Sequence, residues 1–150
     1  MPVVMLDEEL DFRGGDQVAP NEYRALLAAV GWRPPHEDDG ALDAALRQSW
    51  NVTVRTAAGE LVGLARVLDD GVMYASIWDL IVTPERQRRG IGQRLLTTVM
   101  ERTAARRLVS LIATAAGEAL YRAAGFAESD GRSTGMFIRH SLPAAATDGD

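Results

Sequence analysis

The run Gln87-Arg88-Arg89-Gly90-Ile91-Gly92 combines residue types suited to one task, holding a phosphate. It lies between an apolar stretch ending Leu80-Ile81-Val82 and an amphipathic stretch from Ile91 to Met100, so the pattern predicts a strand, a glycine turn and a helix start. The first four N–H groups of a helix lack internal partners and stand at the positive end of its dipole, and a turn without side-chain bulk lets phosphate oxygens reach them. Gly90 and Gly92 remove that bulk. Arg86, Arg88, Arg89 and Arg94 crowd the same turn, and guanidinium groups meet phosphate through paired hydrogen bonds. The other reading of these residues is an ordinary loop with a solvated basic face.

Two phosphate loops do not fit. The P-loop needs a lysine followed by serine or threonine after its second glycine, whereas Gln93-Arg94 follow Gly92. The dinucleotide fingerprint needs glycine or alanine three positions after the second glycine, and position 95 is Leu95. Other chemistries are bounded by composition. The absence of cysteine excludes a disulfide framework, a thiolate metal site and a cysteine acyl-enzyme, and suits a reducing cytoplasm, the expected location. His36 and His140 are far apart, without ligand spacing, so no metal is expected. A net charge of −5 argues against general nucleic-acid binding. No leader of basic residues opens Met1 to Asp11 and no apolar run nears membrane-span length, so a soluble protein with no membrane partner is expected.

The elements that must position the turn alternate along the chain. With 150 residues, 47% of them apolar, one core suffices, and residues 1–142 read as a single domain followed by a loose tail at 143–150. Val3 to Leu6 predicts a short first strand, followed by a polar Gly14-Gly15-Asp16 loop. A helix starting near Asn21 carries Leu26, Leu27 and Val30 and ends near Trp32; Pro34-Pro35 interrupts, and Asp38 or Asp39 caps a second helix with Leu42, Ala45 and Leu46 on one face. Val52 and Val54, the Ala57-Ala58-Gly59-Glu60 turn, Leu61 to Leu68, and Met73 to Val82 after Asp69-Asp70-Gly71 predict a three-stranded antiparallel meander. The helix after the glycine turn has Ile91, Leu95, Leu96, Val99 and Met100 on one stripe, which is core packing. Its later arginines, Arg102, Arg106 and Arg107, lie roughly 20 Å from the glycines and offset the helix dipole instead of serving the turn. A strand is expected over Leu108 to Ala113, and a final strand pair over Phe126 to Glu128 and Met136 to Arg139.

Two blocks carry a resemblance. Gln87, Gly90 and Gly92 fit the Q/R-x-x-G-x-G/A signature of the GCN5-related N-acetyltransferases (GNAT), and Ala119-Leu120-Tyr121-Arg122-Ala123-Ala124-Gly125-Phe126 resembles that family's A-x-Y-x-x-x-G-F element. The likeness covers roughly Val52 to Phe137. It implies an α+β (mixed α/β) fold, the acyl-CoA N-acyltransferase fold, with a splayed, mixed and mostly antiparallel sheet flanked by helices. It also implies acetyl-CoA as acetyl donor. Leu80, Ile81 and Val82 then occupy the positions that pair with the pantetheine arm, and the amides of Gln87, Arg88, Arg89, Gly90, Ile91, Gly92 and Gln93 those that hold the pyrophosphate.

Transfer of acetyl from a thioester to an amine needs three things: a base for the amine, stabilisation of charge on the carbonyl oxygen, and an acid for the departing thiolate. Tyr121 matches the family tyrosine near the thioester sulfur, and a phenol with a pKa of about 10 keeps its proton at neutral pH. Its alternative is a buried aromatic packed on Phe126. Relatives often place a base glutamate on the strand before the cradle; this chain has Ser76 and Trp78 there, leaving Asp79 as the strand carboxylate. Asp79 is the candidate base, against the alternatives that it pairs with an arginine for structure or that a water chain does the work. Thr114-Ala115-Ala116-Gly117 stand where the family often has an asparagine.

A narrower likeness, to plastid and cyanobacterial serotonin N-acetyltransferases, rests on Val30-Gly31-Trp32, Leu42 to Leu46, Ala65-Arg66, Ile77-Trp78-Asp79 and Gly135-Met136-Phe137. It suggests an arylalkylamine acceptor, with Trp32 and Trp78 as stacking surfaces and Glu37-Asp38-Asp39 attracting an ammonium. Packing tryptophans and helix-capping acids are the plainer account. The expected activity is direct transfer in a ternary complex to a small primary amine. Acetylation of a protein lysine or N-terminus, and a non-catalytic acyl-CoA-binding module, stand as alternatives. By analogy with relatives, a homodimer is expected.

Overall fold

A computed structural model of the chain describes residues 8–140. In chain order come strand β1 (Leu10–Gly14), helices α1 (Pro20–Ala29) and α2 (Asp39–Gln48), strands β2 (Trp50–Thr56), β3 (Leu61–Asp69) and β4 (Tyr74–Val82), helix α3 (Ile91–Thr103), strand β5 (Leu108–Leu111) and helix α4 (Glu118–Ala123). The strands form one five-stranded sheet in the order β1-β2-β3-β4-β5. Neighbours are antiparallel through β4, whereas β5 runs parallel to β4. A parallel neighbour requires a crossover, and α3 supplies it.

The apolar runs of β2 and β3 reflect burial on both faces. On one face Val52, Val54, Val62, Ala65 and Val67 pack under Ile91, Leu95, Leu96 and Val99 of α3. On the other, Leu61, Leu64 and Ile81 meet Tyr23, Leu26 and Leu27 of α1 and Leu42 and Leu46 of α2. Local signals set the helix ends. Glu22 accepts from the Ala19 amide at 2.9 Å at the start of α1, and Asp38 accepts from the Ala41 amide at 2.8 Å at the start of α2. Gly31, at φ +79°, turns the chain out of α1 as expected near Trp32. Among the described residues no helix is long and apolar enough to cross a membrane.

The feature that shapes the site is an irregularity in β4. Leu64 lies opposite Ile81 and Arg66 opposite Trp78, so Asp79 and Leu80 together face Ala65. This is a β-bulge, with Asp79 at φ +55°. A bulge adds local twist, and the β4–β5 ladder ends just before it, at Ile77 opposite Leu111. Past that point β4 runs on without β5 beside it.

Two expectations go untested and one is overturned. Val3 to Leu6 and the tail at 143–150 lie outside the described residues, and the first strand of the sheet is Leu10–Gly14, whose Leu10 and Phe12 pack against the α3-side core. At its end a Cβ on Gly14 would stand 3.0 Å from the Trp50 ring, and Gly15, at φ +77°, turns the chain out of the strand. The pair Phe126 to Glu128 and Met136 to Arg139 forms no strand. Phe126 instead packs edge-on against Tyr121, and Asp130 accepts from the amides of Arg132 and Ser133 at 2.8 and 2.9 Å, which closes a local turn in place of a ladder.

Candidate active site

Helix α3 opens at Gly90, whose φ of +81° is the left-handed conformation that glycine adopts without strain. Among the described residues the amides of Arg88, Arg89, Gly90, Ile91, Gly92 and Gln93 donate to no other protein group. The Gln87 amide differs from the expectation: it donates to the Pro84 carbonyl at 3.3 Å, while its side chain donates to the Val82 carbonyl at 3.0 Å and ties the turn to the end of β4. Gly92 needs no space from the fold, since a Cβ would meet Leu120 and Val82 only at 3.6 and 4.0 Å. These free donors, facing a bare glycine surface at a helix N-terminus, fit a diphosphate.

The arginines divide their work. Arg86 holds Glu8 through Nε and Nη2 at 2.8 and 2.7 Å, Arg89 donates to the Glu85 carbonyl at 3.1 Å, and the Arg94 guanidinium lies 3.8 Å from the centroid of the Phe12 ring. They brace the turn and do not converge on it. Arg88 is exposed and makes no hydrogen bond or ion pair among the described residues, so its charge stands open beside the free amides.

Beside the turn opens a cleft of about 1160 Å³, lined by β4 from Ile77 to Val82, Gly90, Gly92, the Thr114–Gly117 turn, Tyr121 and the Trp32–Glu37 loop. Thr83 donates its amide to Val62 on the β3 side at 2.9 Å, so strand alternation turns the peptide groups of Val82 and Leu80 toward the open side and those of Ile81 toward β3. An extended, amide-bearing arm laid along Leu80 and Val82 would extend the sheet. The Thr114 hydroxyl and carbonyl both accept from the Gly117 amide, at 3.3 and 3.0 Å, which sets the start of α4. That helix brings Tyr121 to the cleft.

Tyr121 is buried, with its ring edge-on to Phe126 at 6.0 Å, and its hydroxyl forms no hydrogen bond among the described residues while remaining open to the cleft. Burial first, and the negative charge of Asp79 second, push its phenol up to about 12. The packing on Phe126 and the opening to the cleft are thus both present.

Asp79 does not stand free. Its Oδ2 accepts from Arg66 Nε at 2.9 Å and from the Tyr23 hydroxyl, and Arg66 also donates to the Ser49 hydroxyl at 3.0 Å. The Tyr23 phenol is driven well above its ordinary value by burial and by the Asp79 charge. Tyr23 was not among the expected site residues, because its spacing with Leu26 and Leu27 reads as one apolar stripe. The polar end of that stripe was the available signal. Trp78 borders the cleft half-exposed, with Nε1 donating to the Ser76 hydroxyl at 2.9 Å, and Trp32 faces it from the loop after α1, packed partly against the α1–α2 core. Of the three acids after His36, Asp38 caps α2 and Asp39 pairs with Arg24, which leaves Glu37 beside the cleft.

The sequence matches the Acetyltransferase (GNAT) domain over residues 48–128. It is 30% identical over 145 residues to histone acetyltransferase TAP1 of Glycine max, covering 87% of this chain and 61% of that protein. It is 36% identical over 96 residues to the chloroplastic serotonin N-acetyltransferase 2 of Oryza sativa, covering 61% of this chain and 44% of that one. Among solved structures, the GNAT-family acetyltransferase SP0256 of Streptococcus pneumoniae superposes with a TM-score of 0.72 at 28% identity, over 89% of this chain and all of the other. The chain spans about six tenths of the length of the first of these plant relatives and under half of the second.

Proposed function

The chain belongs to the GNAT acetyltransferase family, and from that premise we propose that it transfers acetyl from acetyl-CoA directly to a small primary amine, an arylalkylamine in particular. The observation that carries this reading is the convergence of unpaired amides at Arg88–Gln93, the free edge of β4 and the Tyr121 hydroxyl on one cleft. Acetyl-CoA, when bound, supplies an acyl group already activated as a thioester. The amides and Arg88 hold its diphosphate, and the Leu80 peptide groups and the Val82 amide align its arm, the Val82 carbonyl being taken by the Gln87 side chain. Tyr121 keeps its proton across the neutral range and donates it to the departing sulfur. Arg66 and Tyr23 hold one oxygen of Asp79, which borders the cleft, the carboxylate takes the proton of the acceptor ammonium, and water in the open cleft carries it onward. Trp32 and Trp78 offer an aromatic ring its walls. Our reading includes a cytoplasmic location, which the cysteine-free composition suits.

A second reading has its own support, since the Glycine max relative is named a histone acetyltransferase and covers 87% of this chain. Thiol release from acetyl-CoA across tryptamine-like amines, polyamines, aminoglycosides and lysine peptides separates the two. The highest kcat/KM is expected with an arylalkylamine. A preference for lysine peptides would favour the second reading, and cofactor binding without turnover on any acceptor would leave a binding module.

A further inference from the structure

Part of one sheet face lies open. Helices α1 and α2 meet that face over Leu61, Leu64 and Ile81, while Ala75 and Ile77 of β4 and Val109 and Leu111 of β5 turn the other way, into the core under α3. Alternation therefore sends Tyr74, Ser76 and Trp78 of β4, and Leu108, Ser110 and Ile112 after them, to the open side. The register stacks them in rows. Tyr74 lies beside Leu108, Ser76 lies between Leu68 and Ser110, and Trp78 and Ile112 stand one step past the last pair of the ladder. Leu68, Tyr74, Leu108 and Ile112 are 42%, 51%, 51% and 46% accessible, an apolar extent that marks a binding surface.

This face is continuous with the reaction cleft, because Trp78 and Ile112 line both. The bulge in β4 brings the Asp79 carboxylate to the same side: it accepts from Arg66, which the register sets beside Trp78, and from Tyr23 of α1. Asp79 thus stands at the head of a strip whose foot is Tyr74, and Tyr74 lies about 13 Å along the strand from Trp78. The chemistry changes over that length. Trp78 and Ile112 are apolar, the serine row is polar, and the row of Tyr74 and Leu108 is apolar again, with Leu68 at its shoulder. Trp78 Nε1 donates to the Ser76 hydroxyl at 2.9 Å, which anchors the indole along the strip, while Ser110 is exposed and its hydroxyl makes no hydrogen bond among the described residues. An amine with one ring covers Trp78 and leaves the serine row and everything past it bare.

We propose, on the reading that this cleft acetylates an amine, that the acceptor is an elongated arylalkylamine with two apolar groups. Its first ring lies on Trp78 and Ile112, a hydrogen-bonding link such as an amide crosses Ser76 and Ser110, and its second apolar group rests on Tyr74, Leu108 and Leu68. The continuity of the strip with the reacting centre favours the acceptor as its occupant, since a protein docked on the face would have no need of it.

Thiol release from acetyl-CoA is measured with para-acetamidophenethylamine and para-benzamidophenethylamine, which share the amine, the first ring and the amide and differ in the second ring. The benzamide should have a kcat/KM about tenfold or more above the acetamide, as burial of one added ring allows. That ratio should fall to about one in Leu108→Asp and in Tyr74→Ser, with the circular dichroism spectrum and coenzyme A affinity kept, because both side chains are half exposed and stand outside the core. Equal kcat/KM for the two amines in the wild type overturns the proposal and leaves transfer itself standing. A ratio that survives both substitutions also overturns it. So does a wild-type dimer that Leu108→Asp converts to a monomer without changing the ratio, since the face then belongs to a second copy. Release with neither amine overturns it as well, and turnover of tryptamine then decides whether the reading of amine transfer falls too.

Discussion

Tyr121 is where the chemistry is most exposed to test. Its ring is held by Phe126 and lies close to Gly117, where a Cβ would come within 3.2 Å of Tyr121 Cε2, so removing the hydroxyl leaves the packing in place. Tyr121→Phe is expected to lower kcat about 100-fold with coenzyme A affinity held within about twofold, since the loss is that of a proton donor and not of a binding surface. Turnover equal to wild type would remove Tyr121 from the mechanism. The pH dependence has a definite sign. With the phenol pushed up to about 12, activity should climb as the acceptor amine loses its proton and show no descending limb from Tyr121 in the range up to about pH 10. A falling limb centred near about pH 9 in wild type, absent in the phenylalanine variant, would contradict the placement of that hydroxyl. Asp79 had two readings in the sequence, base or structural partner, and the contact with Arg66 shows the second is at least part of its role.

At the scale of elements, the turn before α3 is separable from the fold that carries it. A side chain at position 92 meets Leu120 and Val82 only at ordinary contact distance, so Gly92→Val should leave Tm within about 4 °C of wild type, the shift expected for about 1 kcal/mol in a chain of this size. Coenzyme A should nevertheless bind about tenfold more weakly or worse, because the valine methyl groups stand where phosphate oxygens must approach the amides. Calorimetric affinity within twofold of wild type would count against the cradle. This turn was legible in the sequence because the Gly90 and Gly92 pair is a local signal, as was the Asp38-Asp39 pair before α2, of which Asp38 is the cap. The bulge was not. A strand reading Ile77-Trp78-Asp79-Leu80-Ile81-Val82 is apolar on both faces, and the double occupancy opposite Ala65 is visible only once β3 is laid beside it. The two arginines Arg86 and Arg94 illustrate the same limit: their clustering in sequence suggested phosphate, whereas Glu8 and Phe12, distant in the chain, claim them.

For the whole molecule, one buried carboxylate joins the two sides of the sheet crossover. Asp69, at the end of β3 with its side chain 2% exposed, accepts from Arg106 at 2.7 and 2.9 Å and from Arg102 at 3.4 Å, which explains the arginines at the end of α3 that the glycine turn does not use. Hydrogen bonds to charged partners hold its pKa at about 2, below the ordinary 3.8. A depressed acid stabilises the fold fully above its unfolded value, so this contribution should fade as pH falls from about 3.8 through about 2. Asp69→Asn should lower stability at neutral pH by about 2 kcal/mol and flatten the acid dependence of unfolding in that window, as read by denaturant titration. Unchanged acid dependence would assign the steepness to other carboxylates. Strand order equal to chain order carries a kinetic consequence of its own. The β2–β3 and β3–β4 pairs close through short turns, whereas β5 is returned by α3 and then gains only the four pairs from Tyr74–Leu108 to Ile77–Leu111. Deuterium should therefore enter β5 and α4 well before β2 and β3. The cleft lies along the sheet's most sparsely paired seam, so whatever lodges between β4 and α4 also ties β5 to the rest of the molecule.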